Sequence, residues 1–291
     1  MIKRPQSEEM KAKQNKIVTN AVRALLYEVS VQPKPGLVDP VSSGPHPDMD
    51  VFTFLDSSVS LTAYFKACVQ TAWSFNDEAT LPTLFEQIRP LGIQAEATMF
   101  DATSGINTHK GAVFSLGIVV TATAYAESHD RQDVFKIVKE MLVGLVERDF
   151  SKVTEKAENE MTAGEREYVH FGITGIRGEA EHGYLTVTQV ALPQLSTARG
   201  TLNERLLDTL MAIVGHSVDT NLVKRAGSID IIPWANDQVS RYFLAGGSRT
   251  EAGMAYLKQL NQVFLEKNLS LGGSADLLIV TIFVALSQGI I

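Results

Sequence analysis

The chain has 291 residues, 45% of them hydrophobic and 20% charged, with a net charge of −7. That balance belongs to a folded protein with a substantial core and excludes a disordered or fibrous chain. The acidic net charge argues against nucleic acid as a partner, so any polyanionic ligand must meet a local cluster of cations. The single cysteine, Cys68, rules out an internal disulfide or a thiolate zinc site and suits a reducing cytoplasm.

The polar run 1–16 lacks the apolar centre of a signal peptide. From Ile17 to Val29, apolar residues recur at helical spacing. Further helices are predicted at about 51–76, 81–101, 109–127, 131–149, 184–197, 202–217, 236–245, 250–267 and 274–288. Two of these, Gly111–Ala126 and Leu277–Leu286, are uncharged, yet each falls short of the roughly 20 residues that span a bilayer. Both read as buried core helices, and no membrane is expected. Tyr184 to Val190 is the best strand candidate, although it suits a helix equally well. The expectation is an all-α fold: a single multi-helix bundle over 17–291, with Gly/Pro-rich loops carrying the chemistry.

Five segments draw attention. Pro33-Lys34-Pro35-Gly36-Leu37-Val38-Asp39 follows the first helix, and its prolines stiffen the chain around Lys34, either to display the ammonium or simply to end the helix. Beyond it, His46, Asp48, Met49 and Asp50 offer acid/base or metal-binding groups. In Asn107-Thr108-His109-Lys110-Gly111, either of the first two residues can cap the next helix. His109 and Lys110 then fall in a first turn whose dipole opposes cations unless an anion binds there. Solvated side chains are the plainer alternative.

Gly175-Ile176-Arg177-Gly178-Glu179 lies in a glycine-rich stretch, read as a loop. Its backbone could approach a ligand closely, with Arg177 suited to phosphate and Glu179 either an acid/base or the partner of Arg177. Asp219-Thr220-Asn221 could supply a Mg²⁺ ligand or only a helix cap. In Gly272-Gly273-Ser274-Ala275-Asp276, capping by Ser274 and dipole complementation by Asp276 form the plainer reading. No histidine pair has the spacing of a helical zinc site, and no nucleophile elbow is present.

In order, PKPGLVD at 33–39, His46 to Met49, NTHKG at 107–111, GxRGE at 175–179, DTN at 219–221 and GGSADLL at 272–278 resemble the triphosphoribosyl-dephospho-CoA synthase family. The likeness runs from about Ala24 to Leu278. FTFLDSS at 52–58 looks like the members that serve citrate lyase more than those that serve malonate decarboxylase. Leu271 departs from the proline that often precedes the glycine pair. The resemblance implies an all-α enzyme in which the 2′-hydroxyl of dephospho-CoA attacks the ribose C1′ of ATP and expels adenine. The product would pass to the transferase that loads an acyl carrier protein.

The same resemblance implies Mg²⁺ as cofactor and assigns roles to the motif residues. Lys34, His109, Lys110 and Arg177 would hold phosphates, beside Gly36, Asn107, Thr108, Gly178, Asn221, Gly272, Gly273 and Ser274 in the substrate site. His46, Asp48 and Glu179 are candidates for acid/base work and Asp219 and Asp276 for the metal, with the division among Asp48, Glu179, Asp219 and Asp276 left open by the sequence. A hydrolase of nucleotide N-glycosidic bonds and a non-catalytic nucleotide-binding protein are the competing classes. A homodimer is the base-rate expectation.

Overall fold

The computed structural model describes residues 7–76 and 78–291, with the side chains of residues 158 and 163 left aside. It is 72% helical, with no strand among the described residues. The first helix, α1 (Glu8–Ser30), starts where the Ser7 hydroxyl accepts the Met10 amide at 3.2 Å. It therefore takes in most of the polar run assigned to a separate segment; residues 1–6 lie outside the described residues. Ile17, Ala21, Ala24, Leu25 and Val29 are its buried stripe.

Two apolar helices form the centre: α5 (Lys110–Ser128) and α15 (Gly272–Gln288). Both are hydrophobic all round because other helices surround them. α1 packs on α15, α3 (Thr62–Trp73) packs on α5, and α5 meets α15 directly. α5 has the length and composition of a membrane span, but 72% of its apolar window is buried inside the protein.

The segment predicted as one helix over 51–76 is two, α2 (Val51–Ser60) and α3, broken at Leu61. Hydroxyl side chains divert the backbone there: Ser60 donates to the Ser57 carbonyl and Thr62 to that of Val59. The predicted 131–149 helix divides at Gly144 into α6 (Val134–Met141) and α7 (Leu145–Phe150). α4 (Leu81–Ala102) matches its expected span closely.

The stretch read as a glycine-rich loop contains α8 (Ala163–Phe171) and α9 (Gly175–Glu181). A capping box between Thr162 and Glu165 starts α8, a local signal worth about 1 kcal/mol. The strand candidate is helical, with a π turn at Val187–Ala191 leading into α10 (Leu192–Thr197). α11 (Leu202–Val214), α12 (Thr220–Ala226), α13 (Ile231–Leu244) and α14 (Glu251–Glu266) complete the bundle.

Candidate active site

At one end of the bundle the N-termini of α5, α12 and α15 converge on a cavity of about 330 Å³. The C-terminal part of α1 and the loop from Leu37 to Met49 close its other sides. This convergence brings together four of the five sequence segments.

The loop after α1 is built around Asp39, whose carboxylate accepts the amides of Lys34, Val41 and Ser42 at 2.9–3.0 Å. Lys34 is not displayed to solvent, contrary to expectation. It is 1% exposed, and its ammonium donates to the Glu28 carboxylate at 2.5 Å and to the Glu28 carbonyl at 2.7 Å. A buried lysine requires such a partner, and Glu28 at the end of the apolar stripe of α1 supplies it. Gly36 is a packing position rather than a substrate contact: at φ +68°, its missing Cβ would fall 2.3 Å from Phe264 of α14.

His109 and Lys110, adjacent in sequence, part company. Lys110 is half-exposed at the cavity mouth and pairs with Glu96 at 2.9 Å. His109 is buried, so it does not present a cation in the first turn of α5. Burial and the neighbouring Lys34 charge push its pKa down to about 3, leaving the ring neutral. Its Nδ1 lies 2.7 Å from Ser57 Oγ, which accepts a hydrogen bond from Thr108 Oγ1 at 2.7 Å. Nε2 is buried without a partner. The N-cap position of α5 is His109 rather than Asn107 or Thr108, and Asn107 contributes through its side-chain oxygen, which accepts the Lys110 amide at 3.3 Å.

Asp219 was a candidate metal ligand, and its surroundings assign it instead to holding two helices. One oxygen accepts the amides of Asn221 and Leu222 at 2.9 and 3.1 Å and that of Gly273 at 3.3 Å. The other accepts the Ser274 amide and hydroxyl at 2.7 and 2.8 Å. Five donors leave little lone-pair capacity for a cation. Gly273 and Ser274, whose amides are thereby committed, do not line the cavity, whereas Asn221 and Gly272 do.

Asp276 also lines the cavity, and no donor reaches its carboxylate among the described residues. It sits against Gly111, where a Cβ would lie 1.9 Å from Oδ2. Burial, then the Asp219 and Glu28 charges, hold its pKa well above the usual carboxylate range. The side chain fronts the cavity and is otherwise enclosed by protein.

His46 and Asp48 are both in the cavity wall. Arg225 donates to His46 Nδ1 at 3.0 Å, which makes Nε2 the protonated nitrogen, and that N–H donates to Ser270 Oγ at 3.1 Å. Burial first, then the Arg225 charge, lower the His46 pKa. Both ring nitrogens are engaged, so His46 orients its neighbours rather than standing free as a base. Lys224 and Glu28 line the cavity without having been expected there, and Arg225, noted in sequence only as following Asp219-Thr220-Asn221, joins them. The signals were present: adjacent cations one turn after a capping aspartate, and a carboxylate on a buried stripe.

The fifth segment lies elsewhere. Arg177 pairs with Asp149 at 2.9 Å and lies near the Phe114 and Phe150 rings. Glu179 accepts the Thr186 hydroxyl at 2.6 Å and, with Gly178, lines a separate cavity of about 400 Å³. None of the three is in the wall of the first cavity. A helix places them: once Gly175–Glu181 is helical, Arg177 faces α7 and α5 instead of reaching toward phosphate.

Residues 14–290 match the family described as ATP:dephospho-CoA triphosphoribosyl transferase. The chain belongs to this family. Across 94% of its length it is 60% identical to a protein of Lactiplantibacillus plantarum called "Probable 2-(5''-triphosphoribosyl)-3'-dephosphocoenzyme-A synthase", covering 98% of that relative. A relative of the same name from Citrobacter koseri is 38% identical over 91% of this chain and 88% of its own. "Protein CitXG" of Leuconostoc mesenteroides subsp. cremoris is 47% identical over 94% of this chain, which spans 59% of that longer protein. No solved structure matches. As a member of the family the chain is a transferase, and the all-α expectation holds.

Proposed function

We propose that this cavity binds ATP and that the enzyme transfers its triphosphoribosyl group to the 2′-hydroxyl of dephospho-CoA. The C1′–N9 bond of ATP breaks and a C1′–O bond forms. The attacking hydroxyl gives up its proton, and the departing adenine takes one. The observation that carries the reading is the cavity itself, where the cations Lys110, Lys224 and Arg225 line a pocket of nucleotide scale. The family match supports the same chemistry.

A triphosphate brought among carboxylates calls for a cation, and we assign that role to Mg²⁺. Of the carboxylates facing the cavity, Asp48 fits best: it is exposed at the mouth, and no donor occupies it among the described residues. Among those residues no group of three or more His, Cys, Asp or Glu could hold a metal. Mg²⁺ in phosphate sites typically needs only one or two carboxylates, the remaining ligands being phosphate oxygens and water. Bound there, it would neutralise charge on the triphosphate.

The reaction belongs in the cytoplasm, where ATP is abundant, and its product would go to the transferase that loads the citrate lyase acyl carrier protein. Mass spectrometry of a reaction with ATP, Mg²⁺ and dephospho-CoA tests the chemistry. Free adenine should appear in step with dephospho-CoA enlarged by one triphosphoribosyl group. ADP, AMP or pyrophosphate as the main co-product would overturn it.

A further inference from the structure

The cavity is polarised along its depth. The cations stand at its mouth, with Lys110 and Lys224 exposed. At its floor are the Glu28 carboxylate, already paired with Lys34, the Asp276 carboxylate and the neutral His109 ring. We infer that ATP enters nucleoside first, with its purine ribosyl end on the floor between His109 and Asp276 and its triphosphate at the mouth on Lys110 and Lys224. This inference rests on the reading of the cavity as the ATP site.

The hydrogen-bond network settles what His109 offers. Thr108 Oγ1 donates to Ser57 Oγ, so the Ser57 hydroxyl in turn donates its own proton to His109 Nδ1. With Nδ1 accepting, the ring proton is on Nε2. That N–H is the one polar group of the ring left unengaged, and it is too enclosed for bulk water to satisfy. An unpartnered buried donor is costly and calls for an acceptor from a ligand. Thr108 and Ser57 thus act as positioning residues that fix the tautomer.

The floor therefore presents one fixed donor, His109 Nε2–H, and one open acceptor, Asp276. A nucleoside carries both kinds of group: purine ring nitrogens accept, and the amino and ribose hydroxyl groups donate. A phosphate carries no donor for that acceptor, and its charge would enter where the buried Glu28 carboxylate already stands. Phe54, which meets His109 edge-on at 5.0 Å, and Ile279 add apolar surface suited to a purine.

Binding of three probes in the presence of Mg²⁺ tests this: ATP, adenosine and inorganic tripolyphosphate, measured by calorimetry on the full chain. His109→Asn keeps an acceptor for Ser57 and removes the Nε2 donor, while His109→Gln restores an amide N–H near that position. His109→Asn should weaken ATP and adenosine alike, by roughly tenfold, leave tripolyphosphate unchanged, and be rescued in part by His109→Gln. Lys224→Ala should weaken ATP and tripolyphosphate and spare adenosine.

If His109→Asn weakens tripolyphosphate as much as ATP, or leaves ATP binding untouched, the nucleoside-first orientation is wrong. Should that variant fail to fold, Ser57→Ala frees the tautomer with little change in buried volume and should weaken ATP and adenosine in parallel; no effect on either overturns the inference. Failure of the wild-type protein to bind ATP would instead overturn the assignment of the cavity itself.

Discussion

Asp219 and Ser274, 55 positions apart, are joined by two hydrogen bonds to one carboxylate oxygen, from the Ser274 amide at 2.7 Å and its hydroxyl at 2.8 Å. The pair clamps the start of α15 to the start of α12, so the walls of the cavity keep their spacing without a ligand.

Asp219→Asn should accordingly act on stability. The amide replaces one acceptor oxygen with a donor that faces other donors, at a cost of about 3 kcal/mol or more. Urea unfolding of both proteins measures it. A variant of unchanged stability would show that the clamp contributes nothing.

Lys110 pairs with Glu96 at the surface, an interaction of about 0–1 kcal/mol. Lys110→Ala should lower the stability of the free protein by no more than that. If Lys110 receives a phosphate, ATP affinity should fall by about 1.5–3 kcal/mol. Thermal unfolding with and without ATP and Mg²⁺ separates the two effects, since only the ligand-induced shift should shrink substantially.

The acid limb of stability should carry the mark of His109. Its folded pKa, about 3, lies below the unfolded value of about 6.5, so between these values the unfolded chain binds the proton and the folded chain does not. The contribution is fully present above about pH 6.5 and is lost as the pH falls toward 3, by at most about 1.4 kcal/mol per unit. His109→Gln, which cannot titrate, should flatten unfolding free energy against pH between 6.5 and 4. Parallel curves for the two proteins would contradict the burial argument.

Arg177 shares Asp149 with Arg89, and Asp149 is only 9% exposed at its side chain. Removing the carboxylate with Asp149→Ala would leave two cations facing each other beside aromatic rings. A loss of about 2 kcal/mol is expected, with ATP affinity unchanged because the cluster lies outside the cavity. An ATP affinity that falls with Asp149→Ala would reconnect this segment to the site.

Much of the fold was legible because period and capping agree: the stripe of α1 and the apolar centres of α5 and α15 appear in their residue order. The glycines at 172, 175 and 178 misled, since they suggested a loop where a capping box at Thr162 already started one helix and a second followed at Gly175. In the site, DTN, NTHKG and GGSADLL do meet around one cavity. Their side chains divide in ways that spacing cannot show. Whether Lys34 reaches solvent depends on Glu28, and whether Asp219 can take a metal depends on helix ends far away in sequence. Tertiary partners decide such roles, and a motif contains only half of each pair.

The contact between Gly111 and Asp276 has a mechanical consequence. α5 and α15 meet near their N-terminal ends with a single hydrogen atom of Gly111 facing the carboxylate, because a Cβ there would lie 1.9 Å from Oδ2. Any side chain at 111 would be a wedge driven between the two central helices at the floor of the cavity. It would displace Asp276 or spread the helix ends, and since both helices continue into the core, that movement would load the whole length of the bundle.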